Sequence, residues 1–591
     1  MKTLKSRTFC VSLLLLLCLV AFAVPAKRTW VTFKQSDGTS ITVSLAGDEH
    51  LHYYITQDHV PLVRAENGDF HYATHLGEGM SVSGVIAHEK EMRNMAEERQ
   101  VALSCHVADN TLTPANLRSR KAEAKGLRRL NAQKTSLNDG TKKRGLVILT
   151  SFSDLDFRGD DPQGTWNNIL NQQGYAENNA PGSVADYFRD QSNGLFDIEF
   201  DVIGPVKMPK EHTYYGKNDR NGNDMYVGEL LVEACFAIDE QVNFQDYDWD
   251  GDGWADMVFL LYAGCGENYT GNPTSLIWPH EWHLLGYEDY AEGVALDNTM
   301  IGIYACSSEL SGYEQSTHSQ SLSGLGTFCH EFSHCLGLAD LYSYSGNPMA
   351  DEWDLMASGN FNGDGWCPAG YTAFEKEQSG WLTSIVLTDP TAIIGLAPTS
   401  QGGEAYKIYN DGDPTWCEYY LLENRQQDGW DKEIPGSGLI ITHIDYDEDV
   451  WWNNTVNDTR NHERCTIIGA NNNAYRPSGY AYPYMENDSL TNYSTPAAKV
   501  YKKSAEDNYL MNKPITEIAQ NYGLVSFKFM DNSTGIEHVS IGANIDNNRP
   551  IKAYTTTGVL VAVLPSAAAL QTLPQGMYLL KQDKTIKWVK R

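Results

Sequence analysis

Apolar residues recur at three- and four-residue steps through Leu325, Phe328, Phe332 and Leu336. That period predicts a helix with one apolar face, stopped at Gly337, a residue that tolerates a left-handed backbone. Gly145-Leu146-Val147-Ile148-Leu149 and Met257-Val258-Phe259-Leu260-Leu261-Tyr262 are short continuous apolar runs suited to buried strands. Residues 183–191 predict a helix with Ser183 as N-cap, and a second helix covers about 225–238. Strands alternating with helices predict an α/β domain over residues 144–384, with a sheet packed on the 325–336 helix. Before it, residues 27–143 form a first unit with strand-like runs at 30–33 and 52–55. After it, strand-like runs such as 405–409 and 524–529 alternate with Gly, Asn, Asp and Pro, which predicts a β-rich region over 385–534. A last unit, 535–591, carries short strand-like runs at 551–554, 558–561 and 573–580.

The first residues add a compartment. Lys2, Lys5 and Arg7 precede an apolar run at 11–20 and the small residues Ala21, Ala23 and Ala26. This predicts a secretory signal peptide, residues 1–26, cleaved after Ala23 or after Ala26. The run is too short for a membrane span, and no later stretch approaches 18 apolar residues, so no transmembrane segment is expected. A net charge of −31 argues against nucleic-acid or anionic-membrane partners. The first unit ends in a basic stretch with Arg118, Arg120, Lys121, Arg128, Arg129, Lys142, Lys143 and Arg144. A flexible basic stretch invites trypsin-like cleavage, so residues 27–143 read as a propeptide of a zymogen, the other reading being a permanent N-terminal domain. Beyond the leader lie Cys105, Cys235, Cys265, Cys306, Cys329, Cys335, Cys367, Cys417 and Cys465, whose spacing does not dictate disulfide pairs.

The predicted 325–336 helix carries the chemistry. It reads His330-Glu331-Phe332-Ser333-His334-Cys335-Leu336-Gly337-Leu338-Ala339-Asp340. Side chains four apart share a helix face, so His330 and His334 can bind one ion together. The turn at Gly337 lets Asp340 reach the same ion. Zinc held by two histidines and a carboxylate keeps a position open for water, which the metal acidifies and whose proton Glu331 can take. Glu352, 18 residues past His334, is a rival third ligand.

A second cluster is Asp248-Trp249-Asp250-Gly251-Asp252-Gly253-Trp254-Ala255-Asp256. Carboxylates at alternate positions converge on one cation, Gly253 allows a sharp turn and Asp256 closes the site, which predicts a Ca²⁺ loop. Position 12 is Phe259, not a bidentate Glu, and a strand follows, so this is no EF-hand. The bland alternative is an exposed acidic turn.

The extended zinc motif, followed sixteen residues later by Met356 in Trp353-Asp354-Leu355-Met356-Ala357-Ser358-Gly359, resembles the metzincin-type zincins with their Met-turn. More closely, the chain resembles the M6 metallopeptidase family, the immune inhibitor A type. The matching segments are 183–188, 248–256, Ile277-Trp278-Pro279-His280, the zinc motif, Glu375-Lys376 with Gly380-Trp381, 419–425 and 438–445. The resemblance covers roughly 144–531. It implies a zincin catalytic domain of α/β (α+β) type and a secreted zinc metalloendopeptidase acting on protein or peptide substrates, with Glu331 catalytic and His330, His334 and Asp340 on zinc. Most metzincins have a third His where Asp340 stands, but members of this family accept Asp. Where some metzincins add a Tyr ligand after the Met, this chain has Ser358. The tail resembles the C-terminal sorting domain of proteins exported by the type IX system of Bacteroidetes-like bacteria, which implies a bacterial protein, secreted or on the cell surface, whose tail meets the secretion machinery. A small accessory β-sandwich is the other reading.

Smaller expectations follow. His280 and His283 suggest a cleft wall, and His280 or Tyr371 are candidate oxyanion donors beside a purely structural role. Cys105, or an Asp or Glu, is a candidate cap on the zinc in a zymogen. A zinc amidase or esterase on a non-protein substrate, and a surface binding protein with a vestigial zinc site, are the competing functions. An intact Glu331 argues against the second.

Overall fold

The structure, a computed structural model, describes residues 22–49, 51–76, 79–111, 140–219, 222–314, 320–343, 350–459, 461–530, 550–555, 560–565, 569, 573, 577–582 and 585–590. Most of the predicted signal peptide and the basic residues Arg118 to Arg129 lie outside these residues. The N-terminal unit begins at β1 (Phe22–Ala23) and continues as an antiparallel sheet of β2 (Val31–Lys34), β3 (Ser40–Gly47), β4 (His52–Thr56), β5 (Pro61–Arg64), β6 (Phe70–Leu76) and β7 (Gly79–Ile86), in sequence order. Helix α1 (Met95–Thr111) packs on β5, β6 and β7. Arg93 clamps Asp58 through both of its terminal nitrogens, at 2.6 and 2.8 Å.

The central sheet holds the expected buried strands. Its order is β1, β11 (His280–His283), β12 (Ile303–Ser311), β10 (Val258–Cys265), β8 (Lys142–Ser151), β9 (Asp197–Lys207). β12, β10, β8 and β9 are parallel, and β11 runs antiparallel to β12. Every residue of β10 is buried, as expected for a strand covered on both faces. Helix α2 (Pro162–Asn171) and helix α3 (Val184–Gln191) pack on β9, and helix α4 (Val227–Ile238) packs on β8 and β9. α3 starts as predicted: Ser183 accepts from the Asp186 N–H, and the Asp186 carboxylate reaches back to the Ser183 N–H.

Lys142, Lys143 and Arg144 depart from the reading as a flexible basic stretch. They open β8, and Lys142 pairs with Glu199 across to β9 at 2.7 Å, so these cations belong to the sheet. Beyond the central sheet, a five-stranded sheet (Ile385–Val386, Tyr406–Tyr409, Glu418–Arg425, Gly438–Asp445, Cys465–Ile467) and a three-stranded one (Thr391–Leu396, Ile515–Asn521, Leu524–Phe529) share a hydrophobic core, which gives the β-rich region. Ile551–Tyr554, Leu560–Leu564, Met577–Gln582 and Thr585–Lys590 form a separate four-stranded antiparallel sheet at the tail. The architecture is mixed α/β with added β-rich regions. No helix among the described residues is long and apolar enough to cross a membrane. Among the described residues no disulfide forms.

Candidate metal centre

Helix α5 (Gly326–Cys335) is the helix that the apolar period predicts, and it is buried along its whole length. Its apolar side is aromatic. Phe328 stacks on Phe259 of β10 at 3.8 Å between ring centroids, and Phe332 meets Phe188 of α3 edge-on at 4.8 Å. This packing fixes the rotation of the helix, so the opposite side presents His330 and His334. The helix ends as expected. Gly337 has φ +100°, its N–H donates to the His334 carbonyl at 2.8 Å, and the Leu338 N–H donates to the Ser333 carbonyl at 3.1 Å.

The reversed chain brings Asp340 to the histidines. His330 Nε2 and His334 Nε2 are 3.1 Å apart, and Asp340 Oδ1 lies 3.3 Å from the first and 3.2 Å from the second. All three residues are buried. Donors of a tetrahedral zinc, each about 2.0–2.1 Å from the ion, are separated by roughly 3.3–3.4 Å. The triangle therefore fits a zinc site. The other ring nitrogens are occupied: His330 Nδ1–H donates to the Leu355 carbonyl and His334 Nδ1–H to the Leu338 carbonyl, both at 2.8 Å. These bonds set the tautomer that leaves Nε2 as a lone-pair donor. Burial lowers the His334 pKa to about 4, which favours the neutral, ligating ring. Burial opposes ionisation of Asp340, but the facing His334 and His330 rings outweigh it and hold its carboxyl below the usual carboxylate range.

Met356 is buried, in the segment whose Leu355 carbonyl holds His330. Its own carbonyl accepts the Leu341 N–H at 2.8 Å, and its N–H donates to Asp354 Oδ1 at 2.7 Å. Asn454, which sequence reasoning did not single out, holds Asp340 twice: its Oδ1 accepts the Asp340 N–H at 2.7 Å and its Nδ2 donates to Asp340 Oδ2. Glu352 is not part of the donor group.

Glu331 is fully buried beside the triangle. Its Oε1 accepts the Val24 N–H at 2.8 Å, and its Oε2 has no hydrogen-bond partner. Burial, reinforced by the charges of Asp340, Glu49 and Glu281, pushes its carboxyl well above the usual range. The two suggested oxyanion donors are turned to structural partners. His280 Nε2 meets the Tyr304 hydroxyl at 2.9 Å and its Nδ1 donates to the Trp278 carbonyl at 2.7 Å. The Tyr371 hydroxyl meets Ser333 Oγ at 2.5 Å, and the ring stacks on Trp381. Cys105 is exposed on α1, outside the buried donor group.

The acidic loop gathers Asp248, Asp250 and Asp256, with one carboxylate oxygen from each within 4.8 Å of the others. Asp252 stands outside that group. Its Oδ1 accepts the Trp254 N–H at 2.9 Å and so shapes the turn. Gly251 and Gly253 take φ +77° and +89° there.

Residues 141–385 match the family described as immune inhibitor A peptidase M6, catalytic domain. The chain is also 26% identical over 231 residues to a protein of Arthroderma benhamiae named "Putative secreted metallopeptidase". That match covers 34% of this chain and spans about a third (32%) of the relative's length. The matched residues 141–385 include the His330–His334–Asp340 triangle.

Proposed function

We propose that the protein is a secreted, zymogenic zinc metalloendopeptidase. The observation that carries this reading is the triangle of His330 Nε2, His334 Nε2 and Asp340 Oδ1, with sides of 3.1–3.3 Å, beside the unbonded Oε2 of Glu331. His330, His334 and Asp340 would hold zinc. When bound, it supplies Lewis-acid polarisation of the scissile carbonyl and a water of lowered pKa. Glu331 accepts the proton of the attacking water at Oε2 and returns it to the leaving amine. Its raised pKa suits a group that must hold that proton between the two transfers. The Leu355 and Leu338 carbonyls keep both imidazoles oriented through the cycle.

The chain's organisation follows the same reading: a signal peptide over 1–26, a propeptide over 27–143, a catalytic domain over 144–384, a β-rich domain over 385–534 and a sorting tail over 535–591. The four-stranded sheet at 551–590 supports a folded tail domain, and its role in bacterial secretion and surface display is part of the proposal. Asp248, Asp250 and Asp256 would hold Ca²⁺, which would stabilise the protein by binding only its folded state.

The test is casein cleavage by the processed protein, with and without a zinc chelator, beside Glu331→Ala. Loss of activity in both, with zinc still bound to the variant, is the expected result. Zinc-loaded, processed protein that leaves casein and gelatin intact would defeat the proposal.

A further inference from the structure

Trp278 lies within the matched residues 141–385, yet its ring packs in the hydrophobic core of the N-terminal unit. Among the described residues it is the one member of that core from outside 26–101. The ring of His52, on β4, stacks on it with centroids 5.0 Å apart and planes 24° apart. The same imidazole meets Glu267, with Nε2 3.3 Å from Oε1. Burial opposes a charge on that ring, but Glu267 outweighs it and holds the His52 pKa above its ordinary value. A cation thus rests between an indole face and a carboxylate.

The carboxylate does not depend on His52 for its place. Asn218 Nδ2 donates to both Glu267 oxygens, at 3.2 and 3.0 Å, and the Glu267 N–H donates to the Ile277 carbonyl at 3.1 Å. A second acid is tied to Trp278 itself: Asp224 Oδ2 accepts the Trp278 N–H at 2.9 Å. The Asp224 side chain is 4% exposed, and its Oδ1 has no hydrogen-bond partner. Burial and the charge of Glu267 push its carboxyl well above the usual range. Among the described residues no Lys or Arg pairs with either acid. This corner therefore calls for a cation that its own domain does not supply.

The corner adjoins the metal centre. The Trp278 indole N–H donates to the Val24 carbonyl at 2.9 Å, and the Val24 N–H donates to Glu331 Oε1 at 2.8 Å. The backbone of a single residue thus spans from the indole to Glu331, and an extended residue covers about 3.3–3.6 Å. His52 belongs to the unit that the proposed function removes as a propeptide. Its departure leaves an indole face beside a carboxylate already fixed in place. Guanidinium and ammonium groups suit both, by stacking on the ring and by charge-assisted hydrogen bonds to the acid. We infer that Trp278, Glu267 and Asp224 form a substrate subsite for a basic side chain, Arg or Lys, close to the cleaved bond. His52 is the stand-in for that side chain. The inference rests on the reading of the protein as a peptidase that sheds its N-terminal unit.

Casein digested by the processed protein, with the cut sites read by mass spectrometry, tests the subsite. Arg or Lys is expected at one fixed position relative to the cut. For a matched pair of peptides, Arg against norleucine at that position, kcat/KM should favour Arg by about tenfold or more. Glu267→Gln should bring that ratio close to one. Cut sites without a basic preference, or a preference that Glu267→Gln leaves intact, overturn the subsite. A second readout uses the full chain and needs neither catalysis nor a change at Glu267. His52→Ala empties the corner, and methylguanidinium is expected to raise the thermal midpoint of that variant relative to the wild type, whereas its neutral isostere N-methylurea is not. Equal responses to the two probes overturn the cation site. If the processed protein cuts no casein, the peptidase reading fails, and the His52→Ala measurement alone decides whether this corner takes a cation.

Discussion

Asn454 and Asp340 hold each other through two hydrogen bonds although 114 residues separate them. The Asn454 side-chain oxygen accepts the Asp340 N–H and its amide N–H donates a hydrogen bond to Oδ2, which leaves Oδ1 to face the two histidines. An aspartate is short, and its carboxylate swings freely about its last bond. The double contact selects the one orientation in which the third donor completes the triangle.

Asn454→Ala should therefore weaken zinc binding while sparing the fold. Loss of such an outer partner costs about 10–100-fold in metal affinity. Competition against a chromophoric chelator reads this directly. Asn453→Ala is the control, since that side chain donates to the Asp449 carbonyl four residues back and not to Asp340. Equal affinities in the two variants would show that Asp340 needs no outside orientation.

The contrast between Asn454 and the motif explains what the sequence makes legible. His330, Glu331, His334 and the stop at Gly337 are related by the geometry of one helix, so their spacing is enough. The runs at 146–149 and 258–262 are buried strands because their continuous apolar character has no other use. Asn454 offers no local signal, because its partner lies across the fold. Lys142 to Arg144 read as part of a flexible basic stretch from charge alone, yet Glu199 of the neighbouring strand pairs with the first of them. His280 reads as a cleft residue from its aromatic context and Tyr371 as a candidate oxyanion donor, but Tyr304 and Ser333 take their polar atoms. Polar side chains reveal their roles only once their partners are placed.

Calcium should raise the thermal midpoint of the protein, because a ligand that binds only the folded state adds about 2.7 kcal/mol at a hundredfold excess over its Kd. Asp250→Asn and Asp256→Asn should flatten that response. Asp252→Asn should leave most of it, since Asp252 lies outside the three-carboxylate group and bonds the Trp254 N–H. Calorimetry across a calcium titration makes the comparison. A response lost as fully in Asp252→Asn as in Asp250→Asn would contradict this ligand set.

The glycines at the two ends of the metal helix, Gly326 inside its start and Gly337 just past its end, should differ sharply when changed to alanine. At Gly337 an added Cβ meets nothing within 4 Å, so Gly337→Ala pays only for its left-handed φ of +100°. That cost is about 1–2 kcal/mol. At Gly326 the added Cβ would stand 1.9 Å from the Asn360 carbonyl oxygen, a backbone atom that cannot swing aside. Gly326→Ala should therefore lose more stability than Gly337→Ala in urea unfolding. A Gly326→Ala protein as stable as Gly337→Ala would mean that the 359–365 turn moves freely against the helix.

Acidity should act on the support beneath the metal site. Burial pushes the Asp354 carboxyl up from 3.8 to about 6. Burial and the charge of Asp354 likewise push the facing Glu375 well up. A carboxyl with a raised folded-state pKa binds more protons folded than unfolded in the interval between the two values. Stability from Asp354 is thus fully present below 3.8 and is lost as pH rises through about 6. Asp354→Asn keeps the acceptor for the Met356 N–H and removes the titration. Relative to the wild type, the variant should gain in thermal midpoint as pH rises across that interval, with the difference flat above it. A difference that stays constant from 3.8 to 6, or shrinks, would show that Asp354 is already ionised in the folded protein across this range.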